Sequence, residues 1–162
     1  MSTFVSVGNA TQPFSRLLDG VAAIAGDLPQ PVFVQSGHTP FRADGCENVP
    51  FLDMNEFQSL VGRSKLLIMH AGAGSVITAV RAGKVPAVMP RSVRYGEHVD
   101  DHQVEFAREL RRAGRIVVAD EPADLLSAVG EALTRQQGAR WAGQAPAMVA
   151  MIAEVLRRYA NR

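Results

Sequence analysis

The fold of this chain is decided by residues 66–75, Leu66-Leu67-Ile68-Met69-His70-Ala71-Gly72-Ala73-Gly74-Ser75. Four apolar residues and a histidine run directly into a segment of small residues. An apolar run closed in this way is typical of a strand that is buried on both faces, as in a parallel sheet. Residues 76–82 are compatible with a helix that ends at Gly83. The small residues are therefore predicted to form a strand-to-helix turn.

This turn predicts a site for an anionic group. Backbone N–H groups at the start of a helix, together with the positive end of the helix dipole, favour a negative ligand such as phosphate. Gly72 and Gly74 would let a ligand approach the backbone without a Cβ in the way. A tight turn also favours glycine for its conformation alone, so this segment leaves a ligand site and a plain connection both open.

The composition indicates one soluble globular domain. The 162 residues are 47% hydrophobic and 20% charged, which suits a single core and is too apolar for a disordered chain. The net charge of +1 gives no electrostatic reason to expect a nucleic acid partner. Cys46 is the single cysteine, which is compatible with a reducing compartment. No signal peptide and no membrane span are predicted.

Apolar patterning predicts alternating strands and helices. Strands are predicted over residues 3–7, 31–35, 48–52, 66–70, 85–90 and 116–119. Helices are predicted over residues 14–25, 55–61, 76–82, 102–113, 120–136 and 145–159, with Thr11 or Pro13 opening the first and Asp53 capping the second. This alternation predicts one α/β domain over residues 1–162, a doubly wound, Rossmann-like parallel sheet with a C-terminal helix.

Three segments that directly follow strands are expected to meet in one crevice. Ligands of doubly wound folds bind outside the carboxyl ends of the strands. Gly8 and Asn9, residues 70–75 and residues 91–103 each begin where a predicted strand ends. They are therefore expected to converge in space although they lie far apart in the sequence.

Residues 90–103 contain the densest polar cluster of the chain, with two arginines, two histidines, three carboxylates and a glutamine. A charged surface loop is the plain explanation, and a functional loop is the favoured one. His98 and His102 have the i, i+4 spacing of metal ligands on one helix face. No metal site is predicted, because no third ligand is fixed and the H-E-x-x-H pattern is absent.

Two familiar enzyme motifs are absent. Ser75 is not in a G-x-S-x-G elbow, and the segment after Gly72 lacks the third glycine of the dinucleotide fingerprint. A nucleoside-diphosphate sugar suits the residues better. Amides of Gly8 and Asn9 and of residues 72–75 would hold phosphates, acidic residues and Gln103 would bind sugar hydroxyls, and Arg91 and Arg94 could bind a carboxylate or phosphate.

The chain resembles a known family. The segments that carry the resemblance are residues 70–75 (HAGAGS), residues 83–86 (GKVP), Pro90-Arg91 and residues 96–103 (GEHVDDHQ). They resemble the C-terminal, donor-binding half of GT-B glycosyltransferases of family 28. The similarity is greatest to stand-alone versions of that half, which are the small subunit of the dolichol-linked GlcNAc transferase and bacterial PssE-like subunits of exopolysaccharide assembly.

The resemblance implies a set of donor-binding residues. By that analogy, the glycine-rich turns contact the diphosphate, and Asp101, His102 and Gln103 contact the sugar. Thr78 stands where related domains often have a glutamate that binds the ribose. The candidate binding residues, from the resemblance and the pattern together, are Gly8, Asn9, His70, Gly72, Ala73, Gly74, Ser75, Thr78, Arg91, Glu97, His98, Asp101, His102 and Gln103.

The resemblance also implies a two-part enzyme. A membrane-anchored, PssD-like subunit would bind a polyprenyl-diphosphate-linked acceptor, and this chain would bind a UDP-sugar as substrate, with no cofactor and no indicated metal. The chain would then lie in the cytoplasm, peripherally at the inner face of the plasma membrane. The catalytic base is expected on the partner, with His70 and His98 as weaker candidates. Residues 145–160 would dock the partner or pack on their own domain.

The cationic residues of the loop suggest a sugar. Arg91, Arg94, His98 and His102 would suit UDP-glucuronate, for β-1,4 transfer of glucuronic acid in bacterial exopolysaccharide or capsule synthesis. Galactose and GlcNAc are the alternative sugars. The alternative functions are a non-catalytic nucleotide-sugar-binding or regulatory subunit, a UDP-sugar epimerase and a nicotinamide-dependent domain, of which the last two are disfavoured.

Overall fold

The computed structural model describes residues 2–138 and 145–160. Six strands form one parallel sheet, in the order β3-β2-β1-β4-β5-β6. The strands are β1 (Thr3–Ser6), β2 (Val32–Gln35), β3 (Cys46–Val49), β4 (Leu66–His70), β5 (Ala87–Met89) and β6 (Val117–Val118). Every ladder between neighbouring strands is parallel. The predicted doubly wound α/β fold is confirmed.

Helices cover both faces of the sheet. They are α1 (Ser15–Ile24), α2 (Met54–Arg63), α3 (Ala73–Arg81), α4 (His102–Arg112), α5 (Leu125–Gly138) and α6 (Ala145–Ala160). One apolar cluster joins α1 and α5 to the sheet, and a second joins the other four helices to the opposite face. Alternate residues of β1 supply the two clusters, since Val5 belongs to the first and Phe4 to the second.

Several element boundaries differ from the predicted ones, since α3 begins at Ala73 rather than at residue 76 and α5 begins at Leu125 rather than at residue 120. The predicted cap of α2 is confirmed, because Asp53 accepts from Glu56 N and the Glu56 side chain accepts from Asp53 N in a capping box. The predicted opening of α1 by Thr11 or Pro13 is wrong, because the helix begins at Ser15, one residue after the predicted range, and the Phe14 amide donates to Thr39 Oγ1 at 2.8 Å. The third strand ends three residues earlier than predicted, at Val49.

Helix α6 packs on its own domain. Ile152 and Val155 are buried in the apolar cluster that also holds Val76 of α3 and Phe106 of α4. The middle of the predicted apolar stripe is therefore part of the core, and docking of a partner by this helix stays a prediction. The side chains of Met148 and Tyr159 lie outside the described residues. Within the described parts of the chain, no helix has the length and apolar character needed to cross a membrane.

The strand order places the crevice. Strands β1 and β4 are neighbours at the centre of the sheet. The chain leaves β1 toward β2 on one side and leaves β4 toward β5 on the other. Connections that diverge in this way leave a gap at the carboxyl ends of the two strands, which is where doubly wound folds bind ligands.

Candidate functional site: a cleft at the N-terminus of α3

A cleft of about 560 Å³ opens at the carboxyl ends of β1 and β4. Three connections border it: the turn after β1, the turn after β4 with the first helical turns of α3, and the segment from β3 into α2. Its lining residues are Gly8, Asn9, Gln35, Leu52, Asp53, Met54, Phe57, Gln58, His70, Gly72, Gly74, Ser75, Ile77, Thr78 and Arg81.

The N-terminus of α3 faces this cleft. Gly72 is the N-cap residue, with extended backbone (φ −71°, ψ 131°), and the helix begins at Ala73. The first amides of a helix have no intrahelical acceptor, so those of Ala73, Gly74 and Ser75 are available to a ligand. A Cβ built on Gly74 meets no atom within 4 Å, so the approach to this turn is open. The predicted anion-binding turn therefore has the geometry that such a site requires.

Two glycines enclose His70. A Cβ on Gly72 would overlap His70 Cε1, and a Cβ on Gly8 would lie 2.5 Å from the same atom. Gly8 also has φ +75°, a conformation that disfavours side chains. The prediction that Gly72 clears space for a ligand thus needs correction. Gly72 makes room for the imidazole, while Gly74 is the glycine that lies open to the cleft.

His70 is a buried, neutral imidazole. Its Nδ1 lies 3.3 Å from Gln103 Nε2, and its Nε2 lies 3.2 Å from Ser75 Oγ. Burial first, and then the positive charge of Arg91, lower the pKa of His70 to about 3. Because both ring nitrogens have partners within the protein, His70 is not placed to take a proton from an acceptor.

The turn after β1 presents Asn9 rather than Gly8. The Gly8 amide was predicted to bind a phosphate, but it donates to Ser6 Oγ at 3.3 Å instead. Ser6 Oγ donates in turn to Gln35 Oε1, and the Gln35 amide donates to Asn9 Oδ1 at 3.1 Å. This chain of bonds fixes the carbonyl of Asn9, which leaves the Asn9 NH₂ group to donate toward the cleft.

Arg91 does not reach the cleft. Its side chain is fully buried, and its guanidinium donates to the carbonyls of Val7, Gln12 and Glu97 at 2.7 to 3.0 Å. It also lies 4.8 Å from the centroid of the Phe14 ring. Burial lowers the pKa of Arg91, and the Glu97 carboxylate opposes that shift. The prediction that Arg91 binds a ligand is wrong in this geometry, because its donors hold the backbone together.

Glu97 is also buried, 3% exposed. Its carboxylate forms a two-bond pair with Arg16 of α1, at 2.9 Å for both bonds, and accepts from Ser92 N. Arg16 donates as well to Pro90 O and stacks 4.4 Å from the centroid of Tyr95. Glu97 therefore fastens the loop to α1 and does not face a sugar.

The remaining predicted residues of this loop lie outside the cleft lining. Asp101 Oδ1 accepts from Val93 N and Ser92 Oγ. His98 and His102 both lie beside Asp100, with Nδ1 to carboxylate distances of 3.3 and 3.2 Å. Gln103 does not line the cleft, and its side chain contacts His70, which does. The described residues contain no group of three or more His, Cys, Asp or Glu that could hold a metal ion.

The structure adds residues that the sequence analysis missed. Gln35 follows the rule of strand ends and could have been found by it. Leu52, Asp53 and Met54 come just after β3, and Phe57 and Gln58 lie one helical turn further along α2. Misplacing the end of β3 by three residues hid this border. Arg81 is the one arginine that the described residues place at the cleft.

Comparison with known families decides the class of this site. The sequence profile of the glycosyltransferase family 28 C-terminal domain matches residues 3–148. The chain belongs to this family. The match spans β1, α3 and the loop before α4, so it includes every element that borders the cleft. The resemblance to the donor-binding half of GT-B glycosyltransferases is thereby confirmed.

Curated relatives and solved structures agree with this assignment. The chain is similar to the UDP-N-acetylglucosamine transferase subunit ALG13 of Cryptococcus neoformans var. neoformans serotype D, with 40% identity over 65 residues, 40% of this chain and 32% of that protein. The subunit of the same name from Eremothecium gossypii is 32% identical over 124 residues, 75% of this chain and 57% of its own length. This family 28 chain therefore spans from a third to just over half the length of these relatives.

The glycotransferase of kitacinnamycin has a similar fold, with a TM-score of 0.63 at 16% identity, covering 96% of this chain and 38% of that one. This likeness supports the fold of the family 28 domain.

Proposed function

We propose that this chain is the donor-binding subunit of a two-part glycosyltransferase and that it binds a UDP-sugar in the cleft. The observation that carries the proposal is the N-terminus of α3, which opens onto the cleft beside the Ser75 hydroxyl. The diphosphate would accept hydrogen bonds from the amides of residues 73–75 and from Ser75 Oγ. Asn9 would donate its NH₂ group from the opposite side.

The border formed by α2 suits the nucleoside. Leu52, Met54 and Phe57 bring apolar side chains to the cleft from the segment after β3, and Ile77 does so from α3. Met54 is 65% exposed, which is unusual for a large apolar side chain and leaves it available to a flat base. Thr78 Oγ1 donates to Gly74 O at 2.8 Å, so toward a ribose hydroxyl it would act as an acceptor.

The acceptor half would come from another chain. The relatives carry the word subunit in their names. The cleft lining includes one carboxylate, Asp53, which already caps α2, and His70 is enclosed. A catalytic base on a partner accounts for both observations. We therefore retain a membrane-anchored, PssD-like partner that presents a polyprenyl-diphosphate-linked acceptor and holds this chain at the cytoplasmic face of the membrane.

The donor sugar we propose is N-acetylglucosamine. The relatives are named as UDP-N-acetylglucosamine transferase subunits. The argument for UDP-glucuronate depended on a cationic loop beside the sugar, and Arg91 is buried in backbone contacts instead. Arg94 remains exposed, which keeps glucuronate transfer in exopolysaccharide synthesis as the second candidate.

Isothermal titration calorimetry with UDP, UDP-GlcNAc, UDP-glucuronate, UDP-glucose and UDP-galactose tests the site and the sugar together. Ser75→Ala is expected to weaken UDP binding about tenfold, because one hydrogen bond to a charged group is lost. Ser127→Ala, an exposed serine on α5, is the matched control and should bind as the wild type does. Absence of UDP binding would refute the site. Tighter binding of UDP-glucuronate than of UDP-GlcNAc would refute the choice of sugar.

A non-catalytic role is the competing function, and the enclosure of His70 is what favours it. Reconstitution with the acceptor-binding partner separates the two. Transfer of sugar by the pair, and its loss on replacing Ser75, would support a catalytic subunit. A pair whose activity is indifferent to Ser75 would support a regulatory one.

A further inference from the structure

The side chain of Gln103 bridges two strand ends from beneath the cleft. Gln103 is the second residue of α4 and is 9% exposed. Its Oε1 accepts from Ala71 N at 3.2 Å and from Arg91 N at 3.1 Å. Backbone N–H groups only donate, so the atom between them must be the carbonyl oxygen of the amide. The orientation of the Gln103 amide is thereby fixed by the protein.

This orientation determines the tautomer of His70. With Oε1 engaged, the Gln103 NH₂ group faces His70 Nδ1, 3.3 Å away. Nδ1 must then accept, and a neutral imidazole carries its proton on Nε2. The Nε2–H donates to Ser75 Oγ, 3.2 Å away. The Ser75 proton is consequently free to point away from His70, toward the cleft.

We propose that Gln103 is a positioning residue, which fixes the tautomer of His70 and so directs the Ser75 hydroxyl to donate to an anionic ligand. The side chain of Gln103 is absent from the cleft lining of the described residues, and the sugar contact that the resemblance implies for Gln103 stays a prediction. The proposal deepens the proposed function, since the anion it names is the diphosphate of that ligand.

Electrostatics support the same state. The titratable groups that act on His70 are Arg91, which lies beyond the Gln103 carbonyl, and His98 in the same loop. Burial is the largest effect that disfavours a positive charge on the imidazole, and Arg91 and His98 add to it. The elements packed against the ring contribute glycine backbone from Gly8 and Gly72 and the neutral hydroxyl of Ser75. The ring is therefore held neutral, and Gln103 alone decides which nitrogen carries the proton.

The ring of His70 provides the first test, through its ¹⁵N chemical shifts in the full chain. The wild type should show a proton on Nε2 and an unprotonated Nδ1 from about pH 5.5 to about pH 8.5. In Gln103→Glu the second carboxylate oxygen accepts, so Nδ1 should become protonated. Arg112→Gln is the control, because it makes the same change in charge at an exposed position on α4. A proton on Nδ1 in the wild type would refute the proposal.

UDP binding provides the second test. At about pH 8.5, Gln103→Glu should weaken UDP binding about tenfold, because a neutral His70 with Nδ1–H would accept the Ser75 proton. As the pH falls, the new carboxylate should favour a protonated ring whose Nε2–H again donates to Ser75. The ratio of variant to wild-type affinity should therefore rise toward one at about pH 5.5. A ratio that does not change with pH would refute the proposal.

A second variant separates this effect from misfolding. In a Ser75→Ala background, Gln103→Glu should still shift the His70 nitrogen signals, but the ratio of UDP affinities with and without Gln103→Glu should no longer change with pH. An additive effect of the two substitutions on affinity would overturn the proposed relay. If the wild type binds no UDP, the proposed function fails and the ligand part of this proposal with it, while the nitrogen shifts still decide the tautomer.

Discussion

At the scale of single residues, the site is built around a buried imidazole. His70 fills the space that two glycines leave, and its hydrogen bonds connect Gln103 below the cleft to Ser75 at its surface. The enclosure has a cost at low pH, because a proton on the ring would be buried beside Arg91.

His70 makes the stability of the fold depend on pH. Its pKa is about 3 in the folded protein and 6.5 in the unfolded chain, so the unfolded chain binds more protons between these values. Stability is fully present above pH 6.5 and falls as the pH drops toward 3, by up to about 1.4 kcal/mol per pH unit. Urea unfolding of the wild type and of His70→Gln at several pH values checks this. The free energy of unfolding of the variant should fall less steeply with decreasing pH. If the free energy of unfolding of both proteins depends equally on pH, the ring of His70 is not buried in its neutral form.

Gly72 should tolerate no side chain. In Gly72→Ala the added methyl overlaps His70 Cε1, so either the ring or the N-cap of α3 must move. We expect a loss of about 1–3 kcal/mol in the free energy of unfolding and a loss of UDP binding. Gly74→Ala is the matched control for folding, because its methyl would meet open space. Equal melting temperatures of the two variants would contradict the packing described.

The sequence was informative at this scale where a residue's position follows from the backbone. Gly74 and Ser75 were predicted at the cleft because a strand-to-helix turn fixes where they lie, and Thr78 was predicted there from the family resemblance. Arg91 and Glu97 were predicted beside them and are buried elsewhere. A charged side chain has several rotatable bonds, and its direction depends on partners such as Arg16, 81 residues away from Glu97.

At the scale of elements, the loop between β5 and α4 is held by charge rather than by regular structure. Arg91 donates to two carbonyls of the connection between β1 and α1 and to one of its own loop, and the Arg16–Glu97 pair fastens the same loop to α1. A 3-10 turn at Val93–Tyr95, closed by Gly96 at φ +67°, lies between these two anchors. The loop thus keeps a fixed backbone while its middle remains exposed.

Replacing Arg91 should lower the stability of the fold, rather than weaken ligand binding at unchanged stability. Arg91→Met leaves the buried carbonyls of Val7, Gln12 and Glu97 without their donor, and at about 1–3 kcal/mol for each unpaired acceptor we expect a loss of about 3–5 kcal/mol. Arg94→Met, at an exposed arginine of the same loop, should change the free energy of unfolding by less than about 0.5 kcal/mol. Chemical denaturation of both variants measures the difference. A ligand-binding defect in Arg91→Met at unchanged stability would restore the sugar-contact interpretation.

Element types were easier to predict than element ends. The periodicity of apolar residues marks α2, and Asp53 marks its start by an interaction confined to four residues. The end of β3 has no such local signal, because the strand is at the edge of the sheet and mostly exposed. The strand was predicted to continue to residue 52 because Phe51 and Leu52 are apolar, but both lie in the segment between β3 and α2 that borders the cleft.

At the scale of the whole molecule, α6 belongs to the domain it follows. Ile152→Ala should lower the free energy of unfolding by about 2–4 kcal/mol, because it opens a cavity in the core shared with α3 and α4. Arg157→Ala, at an exposed position of the same helix, is the control for stability. Thermal unfolding of both checks the assignment. If Ile152→Ala melts as the wild type does, the helix is not part of the core.

This result also changes how partner docking should be tested. Deleting residues 145–162 would uncover the core, so a loss of co-purification could follow from misfolding alone. Substitutions at exposed positions of α6, such as Glu154 and Arg158, leave the core intact. The fold could be predicted because strand and helix alternate throughout the chain, whereas a partner surface is defined by a second molecule that one sequence does not contain.

The Arg16–Glu97 pair limits how the loop between β5 and α4 can be exchanged between homologues. Exchanging residues 91–103 between homologues would move Glu97 without its counterpart, which stands in a different segment near the start of the chain. A chimaera made that way would contain a buried carboxylate at position 97 without a positively charged partner. Exchanges confined to Val93 and Arg94, or exchanges that include Arg16, keep Arg16 and Glu97 paired.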